Sequence, residues 1–318
     1  MARYLTTNSL ISSVVRRANL PITQVTFKTE DFTQFATEEL DMALLPYILS
    51  HHEDYYLTSV TIPLEQGVSR YEIPYRAIGA KLNDVAYQNS DGQKFEMTRI
   101  SKGDTPYYQF GALGNSNQLL KVFYIEGNDI VLVPELKTEV YQSSSLIVSF
   151  YIRPNGLVEE TRAMTITAID TATGIISVNS VPTIFAGGKA VDLIKTKSPH
   201  NTLAWDVVLS SVDYTANTIT VDPASIPHTL KVGDYVCLAE ECIIPQIPTD
   251  LHSMLAQRIA CRCLEALGDQ AGLQAANAKL AEMEQKGSTI VDSRVDEAPM
   301  KVLNRHGFLR SSRRYVRR

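Results

Sequence analysis

ITAIDTATGIISVN (residues 166–179) and LSSVDYTANTITVD (residues 209–222) are one pattern written twice, at an offset of 43 residues. In each copy apolar and polar positions alternate, an aspartate (Asp170, Asp213) opens a short polar run, and a turn residue (Gly174, Asn217) leads into a second alternating segment. Alternation at period two marks a half-buried strand, and glycine and asparagine best tolerate the left-handed backbone of a tight turn. Each copy reads as a β-hairpin, with its aspartate serving the turn's own amides rather than joining a catalytic carboxylate pair. GKAVDLI (188–194) then matches GDYVCLA (233–239), which adds a third strand to each copy. Residues 160–247 are expected to form a small pseudo-symmetric barrel or sandwich.

The same β character extends back to Tyr56. Asp91 and Gly92 read as a hairpin turn between NDVAY (83–87) and KFEMT (94–98), and IVLVP (130–134) and LIVSFYI (146–152) read as buried strands. Residues 56–159 therefore form a first β module. On either side of the β region the period changes to that of helices. Leu10, Val14 and Ala18 recur every fourth residue after Asn8 or Ser9, either able to cap, with Arg16 and Arg17 in the last turn before Pro21. Phe32, Phe35, Ala36, Leu40, Ala43 and Leu44 form one face of a second helix, which starts at Thr29 and is interrupted by Pro46; a kink there is expected to lead into one or two more turns, to about His52, since proline is tolerated where a new helix begins. After Pro248, Leu251, Leu255, Ile259 and Leu264 give a helix ended by Gly268; Asp269 caps another, carrying Leu273, Ala276, Leu280 and Met283 and expected to stop at Gly287. The expected fold class is α+β. Helices of residues 1–54 and 249–286 form a bundle, residues 56–247 are a large all-β insertion of antiparallel sandwich or barrel modules, and residues 287–318 form an extended C-terminal arm.

The chain's 318 residues, 44% of them apolar and 20% charged, are enough for a sizeable core and exclude fibrous and disordered classes. Its net charge of −5 conceals an asymmetry. Residues 301–318 hold seven bases and no acid, which leaves 23 bases against 35 acids, a net −12, in residues 1–300. Four cysteines and no Asn-x-Ser/Thr acceptor fit a reducing, intracellular setting, and the absence of a signal-like core or a long apolar run predicts neither classical secretion nor a membrane span.

The motifs of common chemistries are incomplete. GGKA (187–190) lacks the earlier glycine and the Ser or Thr of a phosphate-binding loop. His51, His52 and Glu53 resemble the start of a zinc-protease helix, but the second ligand position is Tyr56. Cys237 and Cys242, and Cys261 and Cys263, have poor zinc spacing and read as small buried apolar side chains. No Gly-x-Ser-x-Gly elbow occurs. The chain is expected to have no catalytic site, metal or cofactor. The basic tail suits either an acidic protein partner or nucleic acid, and the acidic body favours the protein partner.

The order of these parts, with Ser9–Arg17, EELDMALLP (38–46), EDYY (53–56), PTDLH (248–252), LEALGD (264–269), KLAEME (279–284), RVD (294–296) and Pro299, resembles the head-to-tail connector (adaptor) proteins of short-tailed bacteriophages, possessing a β decoration similar to the neck rings of crAss-like gut phages. The resemblance covers the helical third of the chain. It implies a non-enzymatic virion protein that assembles in the host cytoplasm into a homo-oligomeric ring, a dodecamer matching the portal. That ring sits in the head-tail neck, offers a platform to tail or further ring proteins, and lets genomic DNA pass without reading its sequence. It also implies that the arm reaches the portal through Lys301, Arg305, Phe308, Leu309, Arg310, Arg313, Arg314, Tyr315, Arg317 and Arg318. Two other classes stay open: a tail-tube or baseplate subunit, and a carbohydrate-binding cell-attachment protein, which the single tryptophan, Trp205, disfavours.

Overall fold

Amphipathic segments at both ends of the chain become helices whose apolar faces meet. The computed structural model describes residues 4–21, 26–65, 67–106, 122–133 and 144–291. Helices α1 (Thr7–Arg17), α2 (Thr29–Glu39), α3 (Leu45–His51), α4 (His252–Leu267) and α5 (Gln270–Val291) all contribute to one apolar cluster, which includes Leu10, Val14, Phe32, Ala36, Leu44, Ile48, Leu255, Ile259, Cys263 and Val291. Phe35 only flanks this cluster, and Phe32 is the aromatic that α2 buries.

Two helix ends differ from the sequence reading, and the expected break at Pro46 takes an unexpected form. Neither Asn8 nor Ser9 caps α1; both lie inside it, and Thr6 holds the N-cap position. The free amides are met from the β region instead: Thr7 N donates to Ile243 O (2.9 Å) and Asn8 N to Glu160 Oε1 (3.3 Å). Between α2 and α3 the chain makes one wide π-helical turn, Leu40–Leu44, so Pro46 falls in the first turn of α3, where its missing N–H costs no hydrogen bond. Gly287 does not end α5, which runs on to Val291. A Cβ at Gly287 would stand 2.5 Å from Met254 Cε and 2.9 Å from Tyr47 Oη, so this glycine serves the close approach of α5 to α3 and α4. Gly268, at φ 72°, ends α4 as expected, and Asp269 Oδ1 caps α5 by accepting from Gly272 N (3.0 Å).

The first β unit has two four-stranded sheets, built from β1 (Leu57–Pro63), β2 (Arg70–Glu72), β3 (Ala77–Gln88), β4 (Lys94–Glu96), β5 (Thr98–Arg99), β6 (Val122–Glu126), β7 (Asp129–Val133) and β8 (Ser145–Ile152). Their orders are β1-β8-β3-β4 and β2-β7-β6-β5. Both sheets feed one core, including Tyr71, Val85, Phe123, Ile130, Leu146, Val148 and Phe150. The near-continuous apolar run of β8 follows from its place between β1 and β3. In the β3–β4 hairpin, Asn89 Oδ1 accepts from Asp91 N and Gln93 N, and Gly92 supplies φ 79°.

The second β unit is a closed six-stranded barrel of β10 (Met164–Asp170), β11 (Ile175–Val178), β12 (Ala190–Ile194), β13 (Thr202–Asp213), β14 (Thr218–Val221) and β15 (Tyr235–Leu238), reached from β8 through β9 (Gly156–Leu157) and left through β16 (Glu241–Cys242). β9 and β16 pair in parallel. The barrel order, β10-β11-β14-β13-β12-β15, maps onto itself when β10, β11 and β12 are exchanged with β13, β14 and β15. The sequence repeat is therefore a two-fold relation between half-barrels. Asp170 Oδ1 accepts from Ala172 N, and Asp213 Oδ1 from Thr215 N and Ala216 N, while Gly174 (φ 74°) and Asn217 (φ 51°) hold equivalent left-handed turns. Thr173 Oγ1 also donates to Asp170 Oδ2 (2.7 Å); that bond and then the Ala172 amide hold the Asp170 pKa down, as the Ala216 and Thr215 amides do for Asp213. No helix among the described residues is long and apolar enough to cross a membrane.

Candidate functional site

The pleat of β12 sends Val191 and Leu193 into the barrel and Asp192 to its outside. That outside is dry: Asp192 is wholly buried beneath Arg76, from the loop before β3, and Asn155, from the link after β8. Arg76 Nη1 and Nη2 grip Asp192 at 2.7 and 3.1 Å, while Nη2 and Nε reach Asp206 at 2.6 and 3.1 Å. Asn155 Nδ2 (2.6 Å), Asp206 N (3.0 Å) and Glu240 N (3.1 Å) also donate to Asp192. Burial alone would lower the Arg76 pKa; its bonds to Asp192, and then to Asp206 and Tyr75, hold it above the ordinary value. Five donors on one carboxylate leave no room for a ligand, so this group is a clamp between the first β unit and the barrel.

Beside the clamp, Arg153 and Pro154 form the shared wall of two cavities of about 150 and 220 Å³. The smaller is lined by the rings of Tyr55, Tyr56 and Trp205, by Ile152 and Pro199, and by the polar groups of Thr58 and Asn201. Its floor is fixed: Tyr56 Oη donates to Gln246 O (3.0 Å), Gln246 Nε2 to Thr202 Oγ1 (2.9 Å), and Trp205 packs edge-on against Phe150 at 6.4 Å. Burial raises the pKa of the Tyr55 and Tyr56 phenols, so both stay neutral. The larger cavity holds Asp41 and Glu240. Burial pushes the Asp41 pKa up, and the nearby Arg153 charge partly opposes the rise.

A third group joins the N-terminal segment, the loop after β12 and the start of α4. His200 and His252 are both buried, with ring centroids 5.6 Å apart. His252 Nδ1 accepts from Leu5 N (3.0 Å), and His200 Nε2 lies 3.3 Å from Thr249 Oγ1. His200 Nδ1 and His252 Nε2 have no hydrogen-bond partner among the described residues. Burial, and then the neighbouring His200, pushes the His252 pKa down to about 4. On the helical side, Arg258 and Arg262 hold the buried Glu39 at 3.2 and 2.6 Å.

The ten arm residues expected to reach a portal, Lys301 to Arg318, lie outside the described residues. His51 and His52 stand at the end of α3, where the His51 ring contacts Tyr47 O (2.8 Å) and Ser50 Oγ (3.0 Å) of its own helix. The four cysteines are buried and free; burial raises their pKa values, for Cys242 and Cys263 to about 12. No group of three His, Cys, Asp or Glu residues among the described residues could hold a metal ion.

The Arg76 clamp was missed by sequence reasoning, because an aspartate at an outward strand position reads as solvated. The repeat did carry a signal. Asp192 corresponds to Cys237, and the two are direct cross-strand partners on β12 and β15. A cysteine in that outward position marks a covered barrel wall, where an aspartate needs a cation. No protein-family model and no curated protein matches the chain.

Proposed function

We propose that the chain is a structural subunit of a phage neck, forming a ring beneath the portal that joins head to tail around the DNA channel. The observation that carries this reading is the helical cluster: segments from before and after the β region share one apolar core, and the described strands, from Leu57 to Cys242, lie between those segments in sequence. That is the order of parts in the adaptor proteins that the helical segments resemble. The virion location, twelve-fold symmetry, portal and tail partners, and lack of catalytic activity belong to the same proposal.

The seven bases of residues 301–318 are the proposed portal contact, since arginines form strong charge-assisted bonds with carboxylates. Repeated around a ring, weak single contacts would combine into high avidity. The test is electron microscopy and mass measurement of the purified chain, alone and with the portal of its phage. The expected result is a ring that sits on the portal and is lost when the chain is cut after Val291 or when Arg310, Arg313, Arg314 and Arg317 are replaced by Glu. A full-length chain that stays monomeric beside the portal, or variants that attach as wild type does, would overturn it.

A further inference from the structure

We propose that the smaller cavity at Arg153 binds a single saccharide ring bearing a carboxylate. A sugar ring presents C–H faces that pack on aromatic rings and a polar rim that needs amides, hydroxyls or charges. The cavity supplies both kinds of wall: Tyr55 and Trp205 on one hand, Thr58, Asn201 and Arg153 on the other. About 150 Å³ lies below the ~300 Å³ at which drug-sized pockets begin, which limits the occupant to one ring rather than a nucleotide or an oligosaccharide.

The carboxylate follows from Arg153. Arg70, Arg76, Arg162, Arg258 and Arg262 are each committed to a carboxylate of the protein. Arg153 is exposed and makes neither an ion pair nor a side-chain hydrogen bond with any described residue. Asp41 faces it from the neighbouring cavity closely enough to feel its charge but outside ion-pair distance, so the guanidinium keeps its donors. A planar guanidinium at the rim of an aromatic pocket matches a carboxylate in two-point geometry. The Asn201 carboxamide, also exposed and without a side-chain partner among the described residues, stands on the loop after β12 to meet ring hydroxyls. Such a site is compatible with a ring subunit and does not depend on one.

Trp205 is the only tryptophan in the chain, so its fluorescence reports occupancy of this cavity. The full-length protein is titrated with methyl β-D-glucuronide, methyl β-D-glucoside and acetate at millimolar concentrations, with ligand-observed saturation-transfer NMR as a second readout. The expected result is saturable binding of the glucuronide, with the glucoside and acetate at least about tenfold weaker, the worth of one charge-assisted contact. Arg153→Gln should reduce the glucuronide to the level of the glucoside, and Asn201→Ala should weaken both sugars. Both side chains are exposed, so these variants leave the core untouched. No saturable binding of the glucuronide by NMR, equal binding of glucuronide and glucoside, or undiminished glucuronide binding to Arg153→Gln would overturn the proposal.

Discussion

At His252 the chain stakes stability on a neutral ring. Its Nδ1 accepts from Leu5 N, so the proton of the neutral form sits on Nε2, which is buried without a hydrogen-bond partner among the described residues. The folded protein holds this pKa down to about 4, against an ordinary 6.5, so the unfolded chain takes up the proton first as pH falls. The His252 contribution is therefore whole above pH ~6.5 and is lost between there and pH ~4, to a limit of about 3 kcal/mol. Urea unfolding of wild type between pH 8 and 4 should lose stability more steeply than that of His252→Asn, whose carboxamide can still accept from Leu5 N but cannot charge. Parallel curves for the two proteins would show that the ring does not titrate as described. Nothing in PTDLHSML (248–255) announces this role, because His252 opens an amphipathic helix where a polar residue is ordinarily exposed. Its burial comes from His200, 52 residues away, and from Leu5.

The two hairpins of the barrel are alike in sequence and in left-handed turn, but their turn residues are not interchangeable. At Gly174 (φ 74°) a Cβ would collide with the carbonyl oxygen of Val221, a backbone atom pinned because Val221 N donates to Gly174 O (2.9 Å). Asn217 (φ 51°) has room for its side chain, whose Oδ1 accepts from Val181 N at 3.3 Å. Asn217→Gly should therefore cost less than about 1 kcal/mol, because the relieved backbone offsets one lost bond, whereas Gly174→Asn should cost about 2 kcal/mol or more. Thermal unfolding of the two variants measures the difference, and equal losses would contradict it. Hairpins, helix faces and the Gly268 and Asp269 signals were legible because they depend on neighbours in sequence. The cap of α1 and the continuation of α5 past Gly287 were not, since each depends on an atom from another element, Glu160 and Met254, and nothing local in the sequence marks the wide turn before Pro46.

Across the whole molecule the Arg76 clamp ties together two β units that also meet where Trp205 packs on Phe150. Replacing Arg76 by Met leaves Asp192, wholly buried, and Asp206, about one-third exposed, without their cation. Breaking a buried pair in this way costs about 3–5 kcal/mol, and Asp192→Asn should cost less because Asp206 still balances Arg76. Chemical denaturation of both variants, followed by Trp205 fluorescence at the seam, should rank them in that order; the reverse order would mean that Asp206 contributes little. The Tyr56 Oη to Gln246 O bond has a different consequence. Chain entry into the β region and chain exit from it are held side by side, 190 residues apart in sequence. In evolutionary terms that makes the β region a cassette. Strands can be gained, lost or duplicated within it, as the doubled hairpin of the barrel already records, while the residues that hold its two ends together need never move.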